Sequence, residues 1–192
     1  VLQGLQASRT PFSMCRSYKS IQHKSVTERL AIMRDPAFRE KLLAEAHEPL
    51  RSDMAARLPD YDRMFPLGDP PNYEPAKESS LGARARREGR DPRDVIYDYL
   101  IEGEGKNFIF SPFANFAAYN LDCCSEMMQS PHTLIGLGDG GAHVGLISDG
   151  SFPTSLLSHW GRDRASGPLD VSWLVKRQTS DNARAVGRND RG

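Results

Sequence analysis

The chain has 192 residues, of which 39% are hydrophobic and 26% charged, so it can form a domain with an apolar core and has an ordinary soluble composition. Its 25 basic and 25 acidic residues cancel, whereas a nucleic-acid partner usually requires a basic surplus, so none is expected. No apolar run approaches the length of a membrane span, and the start lacks the pattern of a signal peptide. We therefore expect a cytoplasmic protein without a membrane partner.

The amino-terminal part combines a short strand with helices. Residues 1–5 are a candidate strand followed by a polar loop. Ser25 and Glu28 stand three residues apart at the start of an apolar periodicity, which is the spacing of a capping box, so a helix is predicted to begin there. Asp35, followed by a proline, predicts the next helix start.

Residues 59–78 are rich in proline and aromatic residues. A Gly/Ser-rich composition is absent, so we expect an ordered, irregular excursion packed by its rings rather than a flexible linker. A helix is then predicted from Ser79 or Ser80 to Gly89. Residues 25–90 are together interpreted as a mainly helical insertion that contains this proline- and aromatic-rich stretch.

From residue 91 onward the predicted elements alternate. A helix starts after Asp91, a strand is predicted at 107–110, another helix follows, and a second strand is predicted at 133–137. This order, with short connections, is typical of repeated βα units and a parallel sheet. Further helices are predicted at 153–164 and 170–186.

Asp139 stands where the second of these strands ends among glycines. Gly138, Gly140 and Gly141 permit backbone angles that other residues avoid, so the carboxylate can be held at the mouth of a tight turn. Enzymes of the α/β class place catalytic groups at the carboxyl ends of buried strands. Asp139 is therefore a candidate proton-transfer or metal-site carboxylate, with His143 nearby.

Two other interpretations of this stretch remain open from the residues alone. Asp-Gly pairs mark ordinary turns, and a purely structural turn would fit a non-catalytic interaction module. Gly136, Gly138 and Gly141 also satisfy the spacing G-x-G-x-x-G, which makes a nucleotide-binding βα protein an alternative. That alternative requires a helix that starts at Gly141, whereas two further glycines and a proline follow within a dozen residues.

Four segments of the chain carry a resemblance to a known family. They are Asn-Phe-Ala-Ala-Tyr-Asn-Leu-Asp at 115–122, Leu-Gly-Asp-Gly-Gly-Ala-His-Val-Gly at 137–145, Phe-Pro-Thr-Ser-Leu-Leu-Ser-His-Trp-Gly-Arg-Asp-Arg at 152–164 and Lys-Arg-Gln-Thr-Ser-Asp-Asn-Ala-Arg-Ala-Val-Gly at 176–187. The chain resembles the N-acyl-D-amino-acid deacylase (D-aminoacylase) branch of the amidohydrolase superfamily. The likeness spans nearly the whole chain, and its most specific part is Gly-Asp-Gly-Gly-Ala-His.

The resemblance implies an α/β fold, a partial TIM-like (β/α)8 metallo-hydrolase barrel whose last βα units occupy residues 91–192. Residues 1–24 are implied to be the end of a barrel strand and its loop. It implies hydrolysis of N-acyl-D-amino acids or related acylated amines, with zinc as cofactor and a small molecule as substrate. Zinc polarises the scissile carbonyl and lowers the pKa of bound water toward about 7. An aspartate after the final barrel strand moves the proton to the leaving amine, and Asp139 matches that residue. His143 lies beside it, where the resemblance implies substrate binding.

The other metal ligands of the family are not matched. They come from earlier strands and include a His-x-His pair, which this sequence lacks. His23, His47 and His132 do not stand at the end of a predicted strand, where the family's zinc ligands lie. Asp139 is therefore the only possible zinc ligand that we assign. Because the chain opens at Val1 without a methionine, we expect a fragment. Because the other metal ligands are not matched, we expect this fragment to be inactive alone. A partial barrel has open sheet edges, so we also expect self-association or contact with the missing barrel half.

Overall fold

The computed structural model describes residues 1–46, 60–112, 114–136 and 149–191. The chain divides into two compact units, Val1–Leu121 and Asp122–Gly192. The first unit therefore contains the whole segment that was predicted to be a helical insertion. Among the described residues, no helix combines the length and the apolar character that crossing a membrane requires.

The first unit is mainly helical. Its described α-helices are α1 (Arg16–Ile21), α2 (Val26–Met33), α3 (Pro36–Ala46), α4 (Leu81–Glu88) and α5 (Pro92–Ile101). Its described strands are β1 (Leu2–Gly4), β2 (Phe65–Pro66) and β3 (Phe108–Phe110). Short 3-10 turns lie at Tyr61–Arg63, Lys77–Ser79 and Glu102–Gly105.

The helix starts predicted from the sequence are confirmed in this unit. The Ser25 hydroxyl accepts the backbone N–H of Glu28 at 3.3 Å, and the Glu28 carboxylate accepts the backbone N–H of Ser25 at 2.9 Å, so the capping box is present. Asp35 and Asp91 each accept an N–H two residues further on, at α3 and α5. Ser80 caps α4. Each side chain satisfies an N–H that has no partner inside its helix.

The described strands form one antiparallel sheet in the order β1-β3-β2. Gln3 of β1 lies opposite Ile109, and Phe65 of β2 lies opposite Phe110. The strands predicted at 1–5 and 107–110 are thus confirmed, but the parallel pairing predicted for the second is wrong. The parallel partner was predicted at 133–137, but residues 133–136 are not in a strand, and β3 pairs instead with β1 and β2.

The core of the first unit is centred on α5. Val95, Tyr97 and Leu100 of this helix are fully buried. The Tyr97 hydroxyl donates to the carbonyl oxygen of Met33 at 2.6 Å, and its ring meets that of Phe12 edge-on at 5.7 Å. Burial raises the pKa of the Tyr97 hydroxyl above its ordinary value, so the group stays protonated and remains a donor.

Removing the Tyr97 hydroxyl is expected to destabilise the first unit. In Tyr97→Phe the ring remains but the buried Met33 carbonyl loses this donor, so the free energy of unfolding should fall by about 1–2 kcal/mol. Urea unfolding followed by circular dichroism measures the change. Tyr119→Phe is the matched control because the Tyr119 hydroxyl has no hydrogen-bond partner in the described part of the chain, and its effect should stay below about 0.5 kcal/mol. Equal losses in the two variants would contradict the role given to the Tyr97 hydroxyl.

The described part of the second unit is helical. Its helices are α6 (Asp122–Gln129), α7 (Phe152–Ser155), a π-helix (Leu156–Asp163), α8 (Val171–Gln178) and α9 (Ser180–Ala185), and a 3-10 turn spans Asp149–Ser151. The helix predicted at 170–186 is confirmed, with an interruption at Thr179, where φ is −113° and ψ is −86°.

Residues 133–136 are not in a strand, so the strand predicted at 133–137 is wrong for its described part. The carbonyl groups of Thr133 and Ile135 accept hydrogen bonds from the side chains of Arg177 and Asn182 rather than from a neighbouring strand. In the described residues 133–136, side chains rather than a sheet therefore hold the apolar run. The partial TIM-like barrel as a whole stays a prediction.

The helix predicted at 153–164 changes its winding at Leu156. Leu156 and Trp160 are buried, whereas Leu157 is 42% exposed. The i→i+5 bonds of a π-helix make the chain turn less per residue than in an α-helix, so Leu157 and Trp160 diverge around the axis. Arg164, which follows the π-helix, is buried instead.

Candidate active site

Asp139 and His143, the residues assigned to catalysis and to substrate binding, lie in residues 137–148, outside the described part. Two of the three glycines of the dinucleotide spacing lie there as well. The first glycine of that spacing, Gly136, is described and belongs to no helix. The structure describes the chain up to Gly136, and we call residues 128–136 the approach segment.

One buried arginine binds the approach segment to α8. Nη2 of Arg177 donates to the carbonyl oxygens of Thr133 at 2.6 Å, Met128 at 3.0 Å and Ser130 at 3.2 Å. The same nitrogen lies 3.2 Å from the Thr133 hydroxyl oxygen. Nη2 carries two N–H groups, so these neighbouring acceptors share them. The start and middle of the approach segment therefore converge on one side chain.

Asn182 of α9 holds the end of the same segment. Its Nδ2 donates to the carbonyl oxygen of Ile135 at 2.7 Å and to that of Gln178 at 3.2 Å. The Ile135 side chain is buried, whereas Leu134 is 56% exposed. Ile135, near the end of the approach segment, is therefore held both by packing of its side chain and by a hydrogen bond to its carbonyl oxygen.

Asp181 lies beside Arg177 and carries the local negative charge. Its carboxylate accepts a hydrogen bond from Nζ of Lys176 at 2.6 Å and lies 3.5 Å from Nη1 of Arg177. The Lys176 hydrogen bond is the main cause that lowers the pKa of Asp181 from its ordinary 3.8, and Arg177 lowers it further. The carboxylate thus stays ionised and orients the guanidinium that holds the approach segment.

The pKa shift of Asp181 predicts an acid-dependent contribution to stability. A carboxyl group whose pKa is lowered by folding stabilises the folded protein above its unfolded pKa, and this stabilisation is lost as the pH falls through the folded pKa. Asp181→Asn should therefore be less stable than the wild type near neutral pH; the difference should begin to shrink near pH 3.8 and vanish once the pH has fallen through the lowered pKa of the folded state. Urea unfolding over a pH series measures this. A difference that persists unchanged in acid would contradict the electrostatic account.

A second buried arginine connects two other segments that carry the resemblance. Nη2 of Arg164 donates to the carboxylate of Asp122, and its guanidinium carbon lies 4.8 Å from the centre of the Trp160 ring. Asp122 ends the segment at 115–122, and Arg164 ends the segment at 152–164. A polar contact within the second unit thus links these segments.

The sequence analysis quoted Arg164, Arg177 and Asn182 within the resemblance but gave them no role. A signal for Arg177 was present, because it stands three residues after Leu174 on the same face of α8 and four before Asp181. Leu174 is fully buried, so a cation on its face requires partners. Helical spacing could therefore have predicted a buried arginine, although not its backbone acceptors.

The described residues contain no group of three or more His, Cys, Asp or Glu side chains that could hold a metal ion. His23 and His132 are exposed. His159 is half-buried on the π-helix, and its ring meets that of Trp160 edge-on at 5.3 Å. His47 and the possible ligand Asp139 lie outside the described part.

Comparison with known proteins gives no relative from which a role could be transferred. No protein-family model matches the chain, and no curated protein and no solved structure matches it. The assignment of a family therefore stays a proposal.

Proposed function

We propose that this chain is the carboxyl-terminal part of the catalytic barrel of a zinc-dependent amidohydrolase of the N-acyl-D-amino-acid deacylase type. The complete protein would hydrolyse the amide bond of N-acyl-D-amino acids or related acylated amines, and this chain alone would be inactive. The observation that carries the proposal is the segment Gly-Asp-Gly-Gly-Ala-His, which follows an approach segment held by Arg177 and Asn182. Arg177 and Asn182 belong to another segment that carries the same resemblance, at 176–187.

In this proposal Asp139 carries the proton. Its carboxylate accepts a proton from the attacking water and delivers it to the nitrogen of the leaving amine, so that an uncharged amine departs. His143 contacts the substrate from the same loop. Zinc, when bound, supplies polarisation of the scissile carbonyl and a lowered pKa of the attacking water.

The remaining zinc ligands would come from the missing barrel half. This sequence contains no His-x-His pair, and Asp139 is the only zinc ligand that we assign to it. The proposal therefore includes association of this chain with those earlier strands, either within one polypeptide or between two. The chain alone should bind zinc at well below one ion per molecule.

Hydrolysis by the complete protein tests the proposal. The zinc-loaded protein is given N-acetyl-D-leucine or N-acetyl-L-leucine, and the released amino acid is measured. We expect release from the D enantiomer, loss of activity on chelation of the metal and recovery when zinc is restored. The 192-residue chain alone serves as the control and should release nothing from either compound. A zinc-loaded complete protein that cleaves no acylated amine would overturn the proposal.

A further inference from the structure

Sulfur-containing side chains are concentrated on α6. Two of the chain's three cysteines and two of its six methionines fall within residues 123–128, as Cys-Cys-Ser-Glu-Met-Met. Cysteine and methionine are usually buried, yet Cys123 is exposed and Met127 is 46% exposed, whereas the buried residue of this helix is Ser125. The solvent-facing side of α6 therefore presents sulfur where polar side chains alone would be expected.

Helical spacing brings three of these sulfur groups together. Met127 stands four residues after Cys123 and three after Cys124. Side chains three or four residues apart are neighbours on a helix, with about 5–6 Å between their Cβ atoms, whereas adjacent residues do not face each other. Met127 is thus the member that adjoins both thiols. Because Cys124 is half-buried, all three side chains reach the surface and can contact one small ligand there.

Contacts at both ends hold α6 in place. At its start the carboxylate of Asp122 accepts a hydrogen bond from the buried Arg164. At its end the Thr133 hydroxyl donates to the carbonyl oxygen of Met127 at 2.5 Å. The sulfur groups are thus carried on a fixed helix, so a ligand that binds them does not have to order the backbone first.

The chemistry of these ligands favours monovalent copper. Thiolates and thioethers are soft ligands that select Cu(I), whereas zinc is bound by cysteine, histidine and carboxylate groups. The described residues hold no group of three or more His, Cys, Asp or Glu side chains that could complete a zinc site here. Two thiols and one thioether therefore match Cu(I) and not zinc.

We propose that α6 carries a binding site for one Cu(I) ion, formed by the thiolates of Cys123 and Cys124 and the thioether sulfur of Met127. Each thiol gives its proton to the buffer as the ion binds, and no electron is transferred. The site is independent of the proposed function, because neither Asp139 nor zinc takes part in it.

Competition for copper under nitrogen tests the site in the reduced 192-residue chain. The chain is titrated into the coloured Cu(I) complex of bicinchoninate, and the loss of colour measures the copper that the chain withdraws. We expect one Cu(I) per chain. Met127→Leu should weaken binding at least about tenfold and Cys123→Ser at least about 100-fold, because changes outside the ligand set already cost about 10–100-fold in metal affinity.

Met14→Leu and Cys15→Ser are the matched controls. Met14 is 54% exposed, Cys15 is half-buried, and both belong to the first unit. Each control variant should bind one Cu(I) with the wild-type affinity. Circular dichroism of every sample before copper is added measures the content of folded protein, and affinities are expressed per folded molecule.

Methionine methyl resonances report ligation in the wild-type chain itself, so this readout does not depend on the folding of a variant. In a chain with isotope-labelled methionine methyl groups, the Met127 signal should shift when one equivalent of Cu(I) is added, whereas the Met14 signal should not. An unmoved Met127 signal in the copper-bound chain overturns the proposal.

The titration can overturn it as well. A chain that withdraws no copper from bicinchoninate has no such site, and wild-type affinity in both Met127→Leu and Cys123→Ser places the copper elsewhere. Binding of one zinc ion per chain that is lost in Cys123→Ser contradicts the choice of metal. None of these results bears on hydrolysis by the complete protein, so the proposed function is tested separately.

Discussion

Replacing Asp139 by asparagine in the complete, zinc-loaded protein is expected to lower kcat for the hydrolysis of N-acetyl-D-leucine by about 10²–10⁴-fold. Asparagine has nearly the same shape as aspartate but cannot accept a proton from water or deliver it to the leaving nitrogen. The effect should therefore appear in kcat more than in KM, which steady-state kinetics separates.

Asp190→Asn is the control for this change. Asp190 is an exposed aspartate that pairs with the neighbouring Arg191 at 2.7 Å, and nothing assigns it to the site. Its loss should leave kcat unaltered. Unaltered hydrolysis in Asp139→Asn would favour the alternative in which the Asp-Gly turn is structural and the chain belongs to an interaction module.

Removing the carboxylate that pairs with Arg164 is expected to destabilise the second unit. In Asp122→Ala the guanidinium of Arg164 remains buried but loses this carboxylate, which should lower the free energy of unfolding by about 2–3 kcal/mol. The estimate lies below the range of about 3–5 kcal/mol for a fully buried pair because Asp122 itself is 57% exposed. Urea unfolding followed by tryptophan fluorescence reports this unit, since both tryptophans, Trp160 and Trp173, belong to it.

Asp163→Ala provides the matched comparison for the ion pair. Asp163 pairs with Arg162 at 2.6 Å, but both side chains are exposed, and such surface pairs contribute about 0–1 kcal/mol. The double variant Asp122→Ala/Arg164→Leu should recover part of the loss, because it removes the buried charge as well. Equal losses in Asp122→Ala and Asp163→Ala would contradict the role of the buried arginine.

Helix starts were predictable from the sequence because their signals are local. The capping box of Ser25 and Glu28 and the caps at Asp35, Ser80 and Asp91 each involve side chains that bond a backbone N–H two or three residues away. A short interaction of this kind depends on residue type and spacing alone. The apolar faces of the longer helices follow from the same local periodicity.

Sheet pairing was not predictable in the same way. The apolar runs at 107–110 and 133–137 look alike in the sequence, yet the first lies between two antiparallel partners while the described part of the second has none. The difference lies in distant partners: Phe108–Phe110 pairs with residues at the start of the chain, whereas Thr133 and Ile135 bond side chains of later helices. An apolar run shows that a segment is buried, but not what its carbonyls bind.

The contacts that hold the approach segment were not predictable from the sequence either. Arg177 bonds backbone carbonyls, which every residue possesses, so the sequence of residues 128–133 carries no mark of the contact. The resemblance singled out Asp139 and His143 from a short local motif. It gave no role to Arg177 or Asn182, whose contacts join residues more than forty positions apart.

The position of zinc in crystals of the complete protein, located from its anomalous scattering at the zinc absorption edge, tests the central claim most directly. The account predicts a zinc ion with a carboxylate oxygen of Asp139 either coordinated at about 2.0–2.2 Å or joined to it through one water molecule. Zinc bound elsewhere, with the Asp139 carboxylate facing bulk solvent, would contradict the assignment of Asp139 as the proton-transfer residue of a metal-dependent amidohydrolase.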